Sequence, residues 1–411
     1  MPSSSPPAVS GAPRAVSHGL AAFALALLLG LQPITTDVYL PALPMLTREL
    51  MAPMSAAQLT MSALILAFGV AQLFWGPVAD RVGRRPVLLW GLALYTLASA
   101  GAAVAGNIEA LIVWRVLQGA CLAAAVVVAR AILRDLYEPH EGAQVMALAL
   151  SGLGVIAIAG PMLGGFIAAA AGWRATLTLV AVSGAATLLF VAWRLPETLL
   201  HKNPRATALA PLATAWWQIA RHRTFVAWTL LTSCTYGGLF TILAGSSFVY
   251  MDMLGLSAAA YGAAMASGSV AYLLGTMLCR RWISRHGLAG AVKRGVGFTL
   301  AGGVTMALPA LAGIDSVWAV LLPQWLFCFG HGINQPCGQT GAVGPFPRTA
   351  GAASALAGFV LALVAFLVGQ WLGVALAGKI LPYALGVAFW ALLTSLIGWT
   401  LVQRLQPTQP N

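Results

Sequence analysis

One acidic residue of this chain follows directly on a long apolar run. Asp37 lies in the segment ITTDVYLPALP, and it is the one acid clearly attached to an apolar run rather than to a polar connection. Desolvation favours the neutral form of a carboxylic acid and a nearby cation favours the charged form, so a carboxyl group in a partly dry cavity can exchange a proton near working pH. Residue type and position therefore predict a proton-carrying group. Because Asp37 lies toward the end of its run, a helix-end carboxylate that faces water is the alternative.

An arginine and a glutamine lie inside another apolar run, LIVWRVLQGACLAA. Arg115 comes about six residues after Glu109, which at a rise of about 1.5 Å per residue puts it about 9 Å into the helix. Asp37 is expected at a similar depth on a helix that runs in the opposite direction. The sequence thus predicts that Arg115 interacts with the acid, directly or through water or Gln118, and tunes its proton affinity. A buried arginine bonded to backbone carbonyl groups is the alternative.

A cluster of charges separates two apolar runs in the segment GPVADRVGRRPVLLWG, residues 76–91. Its acid is Asp80 and its cations are Arg81, Arg84 and Arg85. Such charges cost too much to leave in lipid, so they must lie at an aqueous face, where they can bind helix ends.

The second half of the chain carries further polar residues within apolar runs: Gln324, His331, Asn334, Gln335, Gln339 and Gln370. His331 and Gln335 are four apart and share a helix face. We predict that they hydrogen-bond to a substrate; packing between helices explains them equally well, and His331 as a second proton site is a further alternative. Aromatic and sulfur side chains, with Met61 among them, suit an apolar, drug-sized ligand, although most such residues in a membrane bundle only pack. The predicted substrate-binding residues are Asp37, Tyr39, Gln118, Tyr236, Phe240, His331 and Gln335.

No group of residues has the pattern of an enzyme active site. An enzyme should bring a cluster of His, Asp or Glu with metal spacing, or a nucleophile beside its base. Five of the six histidines lie near or outside the ends of the predicted helices: His18, His140, His201, His222 and His286. The five cysteines fall in predicted helices, where small apolar packing explains them better than disulfides or metal ligands: Cys121, Cys234, Cys279, Cys328 and Cys337. We expect no catalytic residue, no metal and no cofactor other than a coupling proton.

The elements that must position these residues are membrane-spanning helices. The chain of 411 residues is 60% hydrophobic and 8% charged, with a mean hydropathy of +0.86, whereas an ordinary soluble domain is roughly 25% charged. A span needs about 20 mostly apolar residues. The sequence predicts an all-α membrane protein with twelve spans, at about residues 18–41, 56–78, 86–106, 109–130, 143–169, 175–194, 224–250, 258–280, 291–312, 316–338, 349–376 and 380–403.

The longest polar connection divides these spans six from six. We predict a first six-helix bundle at residues 18–195, a cytoplasmic linker at 196–223 and a second six-helix bundle at 224–404. Residues 1–17 are predicted to be a disordered cytoplasmic tail rather than a removed signal, and residues 405–411 a second tail. Because Trp prefers the membrane interface, Trp216 and Trp217 indicate an amphipathic segment on the membrane surface, with simple packing as the alternative.

The distribution of charge predicts the orientation. The net charge is +12, and eighteen of the twenty-two Lys and Arg fall in connections on the side that carries both termini, against three on the other side, Arg48, Arg174 and Lys379. By the positive-inside rule both termini are cytoplasmic. The excess of positive charge therefore reflects membrane topology and does not indicate binding to nucleic acid.

These motifs resemble those of the major facilitator superfamily. Gly76, Asp80, Arg81, Gly83, Arg84 and Arg85 match its G-x-x-x-D-R-x-G-R-R/K motif, and Arg115, Gln118 and Gly119 match its R-x-x-Q-G motif. The segment TDVYLPALP is similar to the T-D-x-Y-L-P-A-L-P signature of its bicyclomycin and chloramphenicol resistance (Bcr/CflA) branch of drug:proton antiporters. The loop CRRWISRHGLAGAVKR repeats the first motif weakly, with Gly287 but without the acid, and indicates two related bundles that rock about a central site.

The resemblance also implies roles for two groups of residues. Residues 76–85 with Arg134 would latch the outward-facing state at the inner ends of the helices. Several ion pairs of under ~1 kcal/mol each are enough to bias two states separated by a few kcal/mol. Span five, SGLGVIAIAGPMLGG, is similar to the antiporter motif of drug exporters, through Gly152, Gly154, Gly160, Pro161, Gly164 and Gly165. The residues themselves indicate a bent, tightly packed helix.

The sequence predicts a proton-driven exporter of small, largely apolar antibiotics such as chloramphenicol, florfenicol or bicyclomycin, in the bacterial inner membrane. We expect a monomer whose partners are a small-molecule drug or metabolite and the lipid bilayer. The rivals are a metabolite or nucleoside exporter and a proton symporter for uptake. A sugar symporter would carry more Asn, Gln, Trp and carboxylates at mid-membrane than this chain does.

Overall fold

A computed structural model describes residues 17–405, which form helices joined by short connections, with no strand in that part of the chain. The lipid core of a bilayer offers no hydrogen-bond partners to backbone N–H and C=O groups, and a helix pairs these groups within itself. The helices are α1 His18–Asp37, α2 Leu43–Glu49, α3 Met54–Val82, α4 Arg84–Ala103, α5 Ile108–Leu136, α6 Pro139–Arg194, α7 Leu209–Arg221, α8 Arg223–Ser247, α9 Ala258–Leu311, α10 Val317–Val343, α11 Ala350–Ala375, α12 Ile380–Trp399 and α13 Leu401–Arg404.

The helices supply twelve spans. Nine helical segments within residues 17–405 are long and apolar enough to cross a membrane. Two of them, α6 and α9, break at Gly172 (φ 79°) and Gly287 (φ 67°) and so provide two spans each; this left-handed backbone suits glycine, which has no Cβ. The more polar α10, which has 27 residues, is the twelfth span. The predicted all-helical fold with twelve spans is confirmed.

The helix bounds differ from the predicted spans by several residues, because helices continue past the apolar runs. Helix α3 extends to Val82 and α5 to Leu136, so the charged residues of both segments lie in helical turns. The first predicted span, 18–41, is α1 followed by a short 3-10 turn, Leu40–Ala42, and α2 lies outside every predicted span. The connection predicted between spans eight and nine is helical apart from the break at Gly287.

The chain folds into two halves, α1 to α6 and α8 to α13. We call the end of the molecule at residues 80–85 and 194–223 the basic end, and the end at Glu49, Arg174 and Asp252 the opposite end. Within the first half α1 packs on α6 and α3 on α5, and within the second half α9 packs on α10 and α12. The two halves meet along α3 and α11 and along α6 and α9.

The buried apolar residues show where the halves are joined. One core cluster lies within the first half and another within the second half near the basic end. The third cluster contains residues of both halves, among them Tyr39, Leu43 and Met61 of the first and Phe240 and Phe248 of the second. The halves therefore share one continuous core toward the opposite end and separate cores toward the basic end.

The segment between the halves contains one helix that lies on the surface. In α7, Trp217 is exposed, and Ile219 is the buried residue of this helix. Trp216 contacts Phe74 of α3 edge to face, and the Arg221 guanidinium lies over the Trp217 ring. The surface helix agrees with the predicted amphipathic segment. Residues 1–16 and 406–411, which hold most of the two predicted tails, lie outside the described residues.

Candidate functional site

A cavity of about 140 Å³ lies between the two halves. Both halves line it, and its walls combine apolar side chains with polar ones. Its lining runs from the middle of the helices to Arg130, Val343 and Ser354 at the basic end. The polar lining residues are Gln32, Gln72, Arg130, Thr232, Tyr236, Gln335, Gln339 and Ser354.

Several of these polar groups have no partner within the protein. The side chains of Gln32, Gln72 and Gln339 and the Tyr236 hydroxyl make no hydrogen bond to any of residues 17–405. Each glutamine amide carries a donor and an acceptor, and a polar group shielded from water costs free energy unless it is bonded. The cavity therefore offers hydrogen bonds to water or to a ligand.

Two of the predicted substrate-binding residues line this cavity. Tyr236 faces it from α8, where its ring stacks on Phe240 with centroids 6.4 Å apart. Gln335 faces it from α10 and accepts a hydrogen bond of 2.8 Å from the Thr232 hydroxyl.

Four other predicted binding residues lie in the packed interior, away from the cavity lining. Tyr39 hydrogen-bonds to Thr60 at 2.8 Å, and Phe240 is fully buried in the shared core. The His331 ring, also buried, lies 3.1 Å from the Thr235 hydroxyl. Gln118, also fully buried, accepts a hydrogen bond of 2.7 Å from Arg115. A direct role in binding for these four stays a prediction.

Asp37 lies at the end of α1, where the two halves meet. The residue is half-buried, and its carboxylate accepts a hydrogen bond of 2.7 Å from the Thr36 hydroxyl. Its neighbour on α6 is Gly160, where an added Cβ would lie 3.4 Å from the Asp37 Cβ. The carboxylate also interacts electrostatically with Tyr236 and Tyr261 of the second half. Asp37 is thus linked to the cavity through Tyr236 rather than being part of its lining.

No ion pair within residues 17–405 involves Asp37. The structure therefore does not join it to Arg115, although the two residues lie near each other along the first half: Arg115 binds the carbonyl oxygen of Thr35, two residues before Asp37. A change of conformation or a bridging water is needed for the predicted interaction.

Arg115 is a fully buried cation that carbonyl groups and an aromatic ring surround. Its guanidinium donates to Thr35 O at 3.4 Å, to Thr60 O at 3.3 Å and to Gln118 Oε1 at 2.7 Å. It also lies over the Tyr39 ring, 4.1 Å from the centroid. The planar fork of donors suits such a site. This geometry matches the alternative interpretation of the sequence, a buried arginine that binds backbone carbonyls and ties α1 and α3 to α5.

The charges of residues 80–85 bind helix ends within the first half. Arg84 is nearly buried, and it donates to Asp80 at 2.6 Å and to Asp135 of α5 at 2.8 Å. Arg85 donates to the carbonyl groups of Leu195 and Ala192 at the end of α6, at 2.9 and 2.8 Å. Arg81 donates to Thr207 at 2.7 Å. In this conformation every one of these contacts stays within residues 80–207, and the latch stays a prediction.

Glu197 completes this cluster, although no sequence motif marks it. Its carboxylate accepts the backbone N–H groups of Arg84 at 2.9 Å and of Arg85 at 3.2 Å, at the start of α4. Negative charge at a helix N-terminus is favourable, because the first N–H groups have no partner in the helix. The chain turns into α4 at Gly83, whose φ of 124° suits glycine. Glu197 and Arg84 are 113 residues apart in the chain, so no local pattern relates them.

Among residues 17–405, one hydrogen bond crosses between the halves at the basic end. Arg130 of α5 donates to the Ser354 hydroxyl of α11 at 3.2 Å. Arg134, one turn further on, lies against Gly351, near the start of α11. At Gly76, by contrast, an added Cβ would fit, because its nearest neighbour would be a Val127 methyl group at an ordinary contact distance of 3.7 Å.

The glycines predicted as the antiporter motif lie where α6 meets α1 and α9. A Cβ at Gly164 would meet the Val38 carbonyl oxygen at 2.5 Å, and one at Gly165 would overlap the Ala258 carbonyl of α9. A Cβ at Gly154 would lie 3.3 Å from the Leu273 side chain of α9. Pro161 presents its carbonyl oxygen to α9, 2.5 Å from where a Cβ on Gly262 would lie. Small residues here bring the halves into backbone contact.

The opposite end is closed by contacts between the halves. Arg48 forms an ion pair with Asp252. Gln58 donates to the Ala244 carbonyl oxygen at 2.6 Å, and Ser269 donates to the Ala157 carbonyl oxygen at 3.0 Å. Together with the shared core, these contacts seal the cavity on this side.

Comparison with known proteins agrees with this architecture. The family model described as the Major Facilitator Superfamily matches residues 25–369. The chain is 31% identical over 334 residues to multidrug resistance protein D of Escherichia coli (strain K12), a match that covers 81% of this chain and 83% of that protein. It is 29% identical over 379 residues to the chloramphenicol resistance protein of Pseudomonas aeruginosa, with 90% and 87% covered.

A solved structure shares the fold. The xylose transporter XylE from E. coli, in a partially occluded inward-open conformation, superposes with a TM-score of 0.76 at 13% identity. The superposition covers 96% of this chain and 99% of that one. At this identity the likeness concerns the fold alone.

Proposed function

The chain belongs to the Major Facilitator Superfamily, and we propose that it exports small, largely apolar antibiotics across the bacterial inner membrane in exchange for protons. Chloramphenicol is the proposed test cargo, because a relative whose alignment covers 90% of the chain, at 29% identity, is named a chloramphenicol resistance protein. No metal or further cofactor enters the proposal; the proton is the coupling ion, and the monomer is the proposed unit.

One structural observation carries the proposal. The two halves share a continuous apolar core toward the opposite end and have separate cores toward the basic end, with the cavity between them. Two half-molecules that are joined at one end only can rock about the site between them, and this motion exposes the site to each side in turn.

The positive charges support an orientation for this movement. With the basic end in the cytoplasm, as the positive-inside rule requires, the sealed opposite end faces outward. The conformation is then inward-facing and narrow. Drug-sized ligands occupy cavities of roughly 300–1,000 Å³, so the halves must part further at the basic end before cargo enters the cavity of about 140 Å³.

Asp37 is the proposed proton carrier. It lies next to Gly160 of α6 and within electrostatic range of Tyr236 in the second half, so the rocking of the halves changes its surroundings. Exposure to the outside lets the carboxylate take up a proton, and the inward-facing state with cargo lets it release the proton to the cytoplasm. Arg115, whose donors are bonded to carbonyl groups, is proposed to hold the end of α1 in place and tune this exchange.

The test is transport in reconstituted vesicles. An imposed pH gradient should drive labelled chloramphenicol against the direction of proton flow, and a protonophore should stop it. Asp37→Asn should abolish this proton-driven flux while the variant still inserts and folds. Asp37→Glu is the matched control, because it keeps the carboxyl group and should keep part of the flux.

Two results would contradict the proposal. Flux equal to that of the wild type in Asp37→Asn would remove Asp37 as the proton carrier. Movement of chloramphenicol in the same direction as protons would indicate symport and would replace export by uptake.

A further inference from the structure

The charge of the cavity is positive, and none of its lining residues is acidic. Arg130 is the one charged side chain of the lining. The other polar groups are amides and hydroxyls, which are neutral and carry both donors and acceptors. Three of the glutamines, Gln32, Gln72 and Gln339, make no bond within residues 17–405 and are free to bind a ligand.

Arg130 is placed where arriving cargo must pass it. It lies near the basic end of α5, is exposed, and bridges to Ser354 of the second half. That contact uses one of the five N–H donors of its guanidinium, and the remaining donors have no acceptor among residues 17–405. The group can therefore bind an acceptor oxygen of a compound in the mouth of the cavity.

No ion pair within residues 17–405 neutralises Arg130. The carboxylate of Asp135 on the same helix is bonded to Arg84 and Thr198. Its nearest charged neighbour on α5, Arg134, is a second cation that interacts with it electrostatically. Asp37 does not line the cavity.

We propose that Arg130 determines the charge specificity of the cavity, which accepts neutral or anionic compounds rich in hydrogen-bond acceptors and excludes organic cations. A cation in the mouth would meet the uncompensated charge of Arg130 near the protein surface, where the effective dielectric constant is about 20 rather than the ~80 of bulk water. Repulsion of this kind weakens binding on the order of tenfold or more. This inference rests on the proposed function, because it concerns the cargo of the same site.

Three compounds with one scaffold test it: neutral chloramphenicol, its deacylated amine, which is a cation in mildly acidic buffer, and its anionic succinate ester. Their affinities are measured on the full chain in nanodiscs at low ionic strength. The wild type should bind the amine at least about tenfold more weakly than chloramphenicol, and the succinate ester at least as well as chloramphenicol.

Substitutions at Arg130 separate the effect of its charge on binding from the effect of its shape. Arg130→Gln should bring the affinity ratio of chloramphenicol to amine close to one, and Arg130→Glu should reverse it. Arg130→Lys keeps the charge and should keep the discrimination. Arg285→Gln is the matched control, because Arg285 is an exposed cation of the basic end that does not line the cavity, and its ratio should equal that of the wild type.

Wild-type protein that binds amine and chloramphenicol equally well overturns the inference, as does a ratio that stays constant through Arg130→Gln and Arg130→Glu. Should Arg130→Gln fail to fold, the wild-type ratio and Arg130→Lys still decide. Loss of the inference is distinguishable from loss of the proposed function. Export of all three compounds at equal rates removes only the charge filter, whereas wild-type vesicles that move no chloramphenicol against protons remove the exporter.

Discussion

The contact between Gly262 and Pro161 offers a direct test of how the halves are held together. Gly262 lies on α9 in the second half and Pro161 on α6 in the first. A Cβ at Gly262 would lie 2.5 Å from the Pro161 carbonyl oxygen. Contacts of a Cβ below 3.0 Å essentially never occur, so Gly262→Ala must separate the two helices by at least 0.5 Å, the difference between these distances.

The magnitude follows from the cost of such overpacking, about 1–3 kcal/mol. Because the clash exists only while α6 and α9 touch, the cost falls on the conformation that is closed at the opposite end. The equilibrium should shift toward the conformation that is open there by a factor of about 5–150.

Gly164→Ala is a matched control. A Cβ there would also lie 2.5 Å from a carbonyl oxygen, that of Val38, but both residues belong to the first half. Its clash is present in both conformations, so it should lower stability and leave the equilibrium unchanged. The gain in helix propensity of Ala over Gly, up to about 1 kcal/mol, applies to both variants and to both conformations.

Distances between spin labels measure the equilibrium. Labels at Met51 and Lys379, which are exposed and lie at the opposite end in different halves, report its opening in a background without the native cysteines. Gly262→Ala should enlarge the long-distance population, and Gly164→Ala should not. The reasoning fails if folded Gly262→Ala keeps the parental distribution, or if both variants shift it equally.

Three further substitutions test the polar contacts of residues 80–85 and of Arg115 through thermal unfolding in detergent. Arg84→Gln removes the common partner of Asp80 and Asp135 and should lower the free energy of unfolding by about 1–3 kcal/mol, whereas Arg81→Gln removes one exposed bond and should cost under ~1 kcal/mol; equal losses would contradict the central place of Arg84. Arg115→Lys keeps the charge but loses the planar fork, so it should destabilise the protein by about 1–3 kcal/mol and slow transport, and a variant as stable as the wild type would show that the carbonyl contacts do not matter.

Much of the fold was predictable because the bilayer limits the choices. A chain that is 60% hydrophobic, with runs of about 20 apolar residues, can only form helices across the membrane. The number of spans followed from these runs. The helix ends did not, because a helix continues into polar segments as long as caps and ion pairs support it, as at Asp80 and Arg134.

The candidate site was predictable only in part. Among the residues predicted to bind substrate, Tyr236 and Gln335 line the cavity, whereas Tyr39 and His331 lie in the packed interior. Periodicity shows which residues share a helix face, but which neighbour that face meets depends on how twelve helices pack. The contacts of Glu197 and Arg130 could not be predicted either, because their partners lie 113 and 224 residues away in the chain.

The sequence by itself determined the class of molecule, the number of spans and the kinds of residue available to move a proton, because hydropathy and charge act locally along the chain. Tertiary structure alone decided that Arg115 binds carbonyl groups, that Asp37 lies against α6, and that the halves close at one end. These features depend on distances between helices that are remote in sequence, and packing sets those distances where glycine carries no side chain to hold the helices apart.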